Sequence, residues 1–226
     1  MTRTKLRDRK LPFYTKGEEI FNMVSHIVGA GFGIAALTLC VVVAALFGNA
    51  WGVASGAIYG GTMILLYTMS SLYHGLRPEM AKKVFQIIDH CSIYLLIAGT
   101  YTPITLCSLR PTHPVSAWII FGLVWGLAAL GITLNAIDLK GFRVFSMICY
   151  LGMGWCIVFA LGPTLECLPT AGLWLLLAGG IAYTMGAVLY GLGKKHRYMH
   201  AVFHLFVLLG SILHFLLIVI FVMPIR

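Results

Sequence analysis

Long apolar runs, separated by short polar or turn-forming breaks, follow one another along almost the whole chain. A transmembrane helix needs about 20 predominantly apolar residues, and each of these runs is long enough. They lack the alternation of barrel strands, and lipid offers backbone groups no partner outside their own helix. The predicted spans are approximately 21–47, 52–76, 85–109, 115–137, 143–163, 170–193 and 200–223.

The composition excludes a soluble globular protein. Of the 226 residues, 60% are hydrophobic and only 10% are charged, and the mean hydropathy is +0.92, far from the values of soluble domains. We therefore expect an all-α integral membrane protein, a seven-transmembrane-helix bundle. A basic cytoplasmic segment, 1–19, precedes the transmembrane domain, 20–226.

Basic residues are distributed unequally between the two sides of the predicted bundle. With the amino terminus inside, 14 of the 16 Lys and Arg residues are cytoplasmic, and only Arg110 and Arg226 lie outside. The positive-inside rule then predicts a cytoplasmic amino terminus, and Trp51, Trp118 and Trp174 fall at outer helix ends, where indoles are favoured.

We expect a multi-pass protein of the plasma membrane, of the bacterial inner-membrane type. The scattered charges do not predict a nucleic-acid partner, and no oligomeric partner is assigned.

Glycines recur every fourth residue in three of the predicted helices. This spacing lets helix backbones approach one another closely, so we expect helix packing at these positions. They are Gly29 and Gly33, Gly52, Gly56 and Gly60, and Gly122 and Gly126.

Polar residues inside the spans are concentrated in four helices. An ionisable side chain in the bilayer costs at least about 2.5–3.5 kcal/mol, and spacings of three or four residues place such groups on one helix face. The predicted topology puts all four groups in the cytoplasmic half of the membrane. They are Glu19, Asn22, Ser25 and His26; Ser70 and His74; Asp89 and His90; and His200, His204, Ser211 and His214.

Three of these histidines predict a zinc site. His200 and His204 are four residues apart on one helix, a spacing suited to a shared metal, and His74 is predicted at the same depth. Three imidazoles match catalytic zinc, which keeps a fourth position for water. Asp89 is placed to accept a proton from that water, and Ser70 to bind the water or a developing negative charge.

The other polar residues are predicted to support the metal ligands or to line a substrate pocket. His214 lies ten residues beyond His204, about 15 Å along the helix, so it cannot bind the same ion. The alternative for these residues is a role in helix packing alone. For Asp89 the alternative is a helix cap, and for Ser70 it is a hydrogen bond to the backbone of its own helix. The group consists of Glu19, Asn22, His26, His90, Ser211 and His214.

The ordered motifs resemble the hemolysin III branch of the progestin and adipoQ receptor family, over nearly the whole chain. They are Glu19-x-x-Asn22-x-x-Ser25-His26, Ser70-x-x-x-His74 with Asp89-His90, and His200-x-x-x-His204. The resemblance implies a zinc ion bound by the three histidines, with Asp89 and Ser70 near its water. It also implies a relationship to alkaline ceramidases, which hydrolyse lipid amides. The compact chain resembles the bacterial branch and is expected to lack the long amino-terminal extension of the receptor members.

The leading functional hypothesis is a zinc-dependent hydrolase that acts on an amide or ester of a membrane lipid. A non-enzymatic sensor of membrane state with structural zinc, a cytolytic protein, and a proton or metal transporter remain as alternatives. Bis-histidine haem at His200 and His214 would require a second helix with histidines at both depths, and no other span has them.

Overall fold

A computed structural model describes residues 4–193 and 196–224, and over these ranges it contains seven helical spans. The fifth span consists of α5 and α6, joined by a 3-10 segment at Cys156–Ala160. The helices are α1 Lys16–Phe47, α2 Ala50–Gly75, α3 Glu79–Pro103, α4 Pro114–Asp138, α5 Arg143–Trp155, α6 Leu161–Cys167, α7 Thr170–Leu192 and α8 Met199–Leu217. The predicted all-α, seven-span fold is confirmed. The charge count also used Arg3, Lys194, Lys195 and Arg226, which lie outside the described residues.

Helix α1 begins earlier than the apolar run from which it was predicted. The Thr15 hydroxyl accepts a hydrogen bond from the Glu18 backbone N–H, and the Glu18 carboxylate accepts one from the Thr15 backbone N–H. This reciprocal cap satisfies backbone donors in the first turn. The helix therefore starts at Lys16, inside the segment 1–19, because capping rather than hydrophobicity sets its first residue.

Helix α3 is the central helix of the bundle. In the most apolar stretch of the span Glu79–Leu109, which contains α3, 83% of the residues are buried, whereas the corresponding stretches of the other spans reach 22–44%. Pro103 lacks a backbone N–H and cannot continue the regular hydrogen-bond ladder, and the chain goes on as a wider π-helical turn at Ile104–Leu109. The hydroxyls of Thr102 and Thr105 donate to the carbonyls of Ala98 and Tyr101. Near the start of α3, Lys83, Gln86 and Asp89 are also buried.

The prediction of close helix packing at the glycines is confirmed for α1 and α2, and it is wrong for α4. A Cβ added at Gly33 would lie 3.1 Å from Ile64, and one at Gly56 would lie 3.1 Å from Cys40. At Gly122 and Gly126, a Cβ would meet none of the described residues within 4 Å. Four-residue spacing defines a helix face without saying which neighbour that face meets.

Most of the polar groups lie at one end of the bundle, where α1, α3 and α8 begin and α2 ends. Ser211 and His214 do not, because they lie in the second half of α8, so the prediction that all of these residues share one depth is wrong for this pair. The other end carries aromatic residues: the rings of Trp51 and Trp118 are 6.4 Å apart, and the Arg110 guanidinium lies 4.2 Å from the Trp51 ring. The helix directions therefore bring the motifs from distant parts of the chain to a common depth.

Candidate metal centre

Three imidazoles meet where α2 ends and α8 begins. The Nε2 atom of His200 lies 3.2 Å from Nε2 of His74 and 3.1 Å from Nε2 of His204. One ligand nitrogen from each of the three residues lies within 4.8 Å of the others. His74 and His204 are buried and His200 is partly exposed. The structure thus brings together the three histidines predicted as metal ligands, and we call them the histidine trio.

The entry of α8 is fixed against α1. Tyr198, the residue before the helix, has a left-handed backbone with φ of 62°, which is uncommon for a bulky side chain. Its backbone N–H donates a 2.7 Å hydrogen bond to the Glu18 carboxylate. This contact holds the first turn of α8, including His200, against the amino-terminal end of α1.

Glu19 orients the His74 ring. The His74 Nδ1 atom lies 2.7 Å from the Glu19 carboxylate, whose other oxygen accepts from the Lys82 ammonium. An ionised carboxylate can only accept, so the His74 proton resides on Nδ1 and the Nε2 lone pair faces the trio. The predicted supporting position of Glu19 agrees with this contact.

His204 is oriented in the same way from α1. Its Nδ1 atom lies 3.4 Å from the Ser25 hydroxyl, and that hydroxyl donates its own proton to the Asn22 backbone carbonyl. The hydroxyl therefore accepts from Nδ1–H, so the proton resides on Nδ1 and Nε2 presents a lone pair to His200.

This arrangement fits a metal ion. Two lone pairs, from His74 and His204, face the single Nε2 atom of His200, which has at most one proton to donate. A cation among the three nitrogens satisfies all of them. Zinc–nitrogen distances of about 2.0–2.1 Å in tetrahedral geometry place ligand nitrogens roughly 3.3–3.4 Å apart, close to the 3.1 and 3.2 Å separations found here.

Asp89 and Ser70 lie beside the trio. Asp89 is buried, its carboxylate lies 3.6 Å from His90 Nδ1, and it interacts electrostatically with His74 and with the Ser70 side chain. It is ten residues inside α3, which begins at Glu79, so the alternative of a helix cap is wrong. This carboxyl lies near the histidine trio, but it does not belong to the group of converging ligand atoms.

Asn22 and His26 carry four polar side-chain atoms that are buried and make no hydrogen bond with any described residue: Nδ2 and Oδ1 of Asn22, and Nδ1 and Nε2 of His26. The His26 ring stacks on His204, with centroids 3.6 Å apart and planes 9° apart. Buried polar atoms without partners are costly. Both side chains therefore lie next to the trio with unused hydrogen-bonding capacity.

The other predicted pocket residues take part in different contacts. His90 Nδ1 donates to the Gln86 carbonyl of its own helix. The Ser211 hydroxyl is hydrogen-bonded to the hydroxyls of Tyr67 and Tyr183, each at 2.7 Å. His214 Nε2 donates to the Leu176 carbonyl on α7. Ser211 and His214 thus belong to a deeper network of hydroxyls and carbonyls.

Sequence reasoning missed two tyrosines. Tyr14 stacks on His200, with ring centroids 5.2 Å apart and planes 26° apart; burial raises the pKa of its hydroxyl, which stays protonated. It precedes the apolar run and carries no periodic signal. Tyr67 contacts the His26 ring; its position seven residues before His74 places it on that helix face and is the signal that could have found it.

The family comparison agrees with the motifs and the fold. A family model described as "Haemolysin-III related" matches residues 14–215. The chain belongs to the hemolysin III family. This family member is 42% identical to "Hemolysin-3" of Bacillus cereus over 207 residues, covering 92% of this chain and 93% of that protein. It is 41% identical to the "Hemolysin-3 homolog" of Bacillus subtilis (strain 168), covering 88% and 91%.

A more distant similarity joins this hemolysin III family member to a human protein. "Monocyte to macrophage differentiation factor" of Homo sapiens is 26% identical over 175 residues, which cover 74% of this chain and 70% of the human protein. No solved structure has significant similarity to the chain. The resemblance stated from the motifs is therefore confirmed, and the chain is a multi-pass membrane protein.

Proposed function

We propose that this hemolysin III family protein is a zinc-dependent hydrolase that acts, like a ceramidase, on an amide or ester of a membrane lipid. The observation that carries the proposal is the convergence of three Nε2 atoms beside the buried carboxyl of Asp89. Three histidine ligands leave a fourth position for water in tetrahedral zinc sites. The depth of the trio, in the polar end of an otherwise apolar bundle, supports a lipid substrate.

A zinc ion at the trio would polarise a carbonyl and lower the pKa of a water molecule. Asp89 accepts the proton that the attacking water loses, and it returns the proton to the leaving group. Ser70, whose side chain interacts with Asp89, holds that carboxyl in place.

We further propose that the trio lies on the cytoplasmic side of the plasma membrane, of the bacterial inner-membrane type. The described basic residues near the trio include Lys16, Lys82 and Lys83, whereas Arg110 and the Trp51–Trp118 pair lie at the opposite end. The positive-inside rule and interfacial tryptophans support this orientation.

Cysteine labelling should detect this topology. In a Cys167→Ser background, which removes a partly exposed native thiol next to Thr112, Met80→Cys should react with a membrane-impermeant maleimide only when the inner face is accessible. Thr112→Cys should react from outside. Position 195, also expected to be cytoplasmic, lies outside the described residues. Reversed labelling would place the trio at the outer face and contradict the proposed orientation.

Fatty-acid release tests the hydrolase most simply. The purified protein, reconstituted with a mixture of N-acyl and O-acyl membrane lipids, should release fatty acid when loaded with zinc and lose this activity after chelation. Adding zinc back should restore it, since the ion supplies the activated water. Release that is unaffected by chelation would contradict the proposal, and so would no release by zinc-loaded protein.

A sensor with structural zinc is the second candidate, because Tyr14 covers the trio and His26 stacks on one of its ligands. In such a protein, zinc holds α2 and α8 together without turnover. The name of the Bacillus cereus relative refers to hemolysis. We do not extend cytolysis to this chain, because the polar residues described around the trio gather at one end of the bundle.

A further inference from the structure

An apolar groove runs along the lipid-facing surface between α1 and α8. It encloses about 230 Å³ and is lined by Phe21, Val24, Ser25, Val28, Leu205 and Leu208. The α1 residues recur at three- and four-residue intervals and the α8 pair is three residues apart, so each set forms one helix face. Val24 is 46% exposed and Leu205 is 48% exposed. Both therefore face the hydrocarbon of the bilayer.

The groove ends at the candidate metal centre. Ser25 supplies its hydroxyl, and that hydroxyl lies 3.4 Å from His204 Nδ1. Leu208 is one helical turn beyond His204 on the same face of α8. Ser25 therefore connects the apolar groove directly to His204, one of the three proposed ligands.

Unpartnered polar atoms lie behind Ser25. Asn22 is completely buried and His26 is 3% exposed, and within 4–193 and 196–224 neither side chain finds a hydrogen-bond partner. The Asn22 amide offers donors and an acceptor, and the two His26 nitrogens offer one of each when the ring is neutral. A carbonyl-containing linkage that entered beside Ser25 would satisfy atoms that the protein leaves without partners.

We propose that the α1–α8 groove binds one acyl chain of a membrane lipid and that the lipid's polar linkage enters the metal centre past Ser25. This inference rests on the proposed function. The occupant is an acyl chain because the lining is almost wholly apolar, the groove lies within the membrane span, and its polar end matches a linkage rather than a headgroup. Its volume is below the roughly 300 Å³ at which ligand pockets usually begin, which suits one chain segment.

Photolabelling locates the acyl chain. The zinc-loaded protein is reconstituted into phosphatidylcholine vesicles with an N-acyl sphingoid lipid that carries a diazirine near the carbonyl end of its acyl chain. Mass spectrometry should find label within 21–28 and 205–208, and excess unlabelled N-acyl lipid should remove it. Uniform labelling of all lipid-facing helices, without competition, would overturn the proposal.

Two tryptophan variants on α1 form a matched pair. Val24→Trp fills the groove and should abolish labelling at 205–208, whereas Ile34→Trp, at a site 57% exposed on the same helix but outside the groove, should leave it unchanged. Both variants replace lipid-facing side chains, and zinc content serves as the check on folding. Labelling that persists in Val24→Trp would overturn the groove assignment, and so would efficient disulfide dimers of Val24→Cys, which would show a second copy of the chain there.

Photolabelling does not require the lipid to be hydrolysed. It therefore tests the acyl-chain groove separately from the hydrolase activity. Groove labelling in a protein that releases no fatty acid would overturn the hydrolase and leave the groove. Fatty-acid release without groove labelling would overturn the groove and leave the hydrolase.

Discussion

Single replacement of His74, His200 or His204 by Ala should reduce bound zinc from about one ion per chain to nearly none. Each residue supplies one of three converging nitrogens, and the two that remain cannot hold the ion tightly in competition with a chelator. Metal analysis of the purified proteins, before and after dialysis against a chelator, measures this loss.

His113→Ala is the matched control for the trio. His113 lies at the opposite end of the bundle, where its Nε2 pairs with Glu166 at 2.9 Å, so this variant should keep its zinc. Glu19→Gln should give an intermediate result, because it weakens the acceptor of His74 Nδ1–H; loss of such a supporting partner typically costs about 10–100-fold in metal affinity. Full zinc occupancy in all three His→Ala variants would refute the ligand assignment.

Asp89→Asn should retain zinc and lose most of the lipid hydrolysis. The amide keeps the shape of the carboxyl and removes the proton acceptor, and a positioned general base contributes roughly 10²–10⁴-fold in rate. Fatty-acid release and metal content, measured on the same reconstituted sample, separate loss of chemistry from loss of the site.

The control for this variant is Asp8→Asn, the same substitution at an exposed residue of the amino-terminal segment, and it should be fully active. An Asp89→Asn protein that hydrolyses lipid at the parental rate would show that another group accepts the proton. If Asp89→Asn lost its zinc together with its activity, Asp89 would instead support the metal.

The fold could be predicted because membrane insertion imposes a simple rule on the sequence. Seven apolar runs appear as seven spans in the described residues, since lipid allows the backbone few alternatives to a helix. Local chemistry set the details that hydrophobicity does not encode. The cap at Thr15 starts α1, and Pro103 diverts α3 into a π-helical turn. A Cβ at Gly122 or Gly126 would meet nothing within 4 Å in the part of the chain that the structure describes.

The trio could be predicted because helical spacing and topology are both readable from one sequence. His200 and His204 share a helix face, and the directions of α2 and α8 bring His74 to the same depth. The hydrogen bonds that orient these rings could not be predicted, since Glu19 and Ser25 reach them across helix interfaces. Ser211 and His214 continue the same stripe of α8 and nevertheless contact Tyr183 and Leu176, because depth along the helix decides which neighbour is met.

X-ray absorption spectroscopy at the zinc edge tests the central claim most directly. That claim is an open site of three histidines. The rival is a site closed by His26 as a fourth ligand, since His26 stacks on His204 and neither of its ring nitrogens is hydrogen-bonded to a described residue. The account predicts three imidazole nitrogens and one oxygen at about 2.0–2.1 Å, with an unchanged spectrum in His26→Ala. Four imidazoles in the parent, reduced to three in His26→Ala, would contradict an open hydrolytic site.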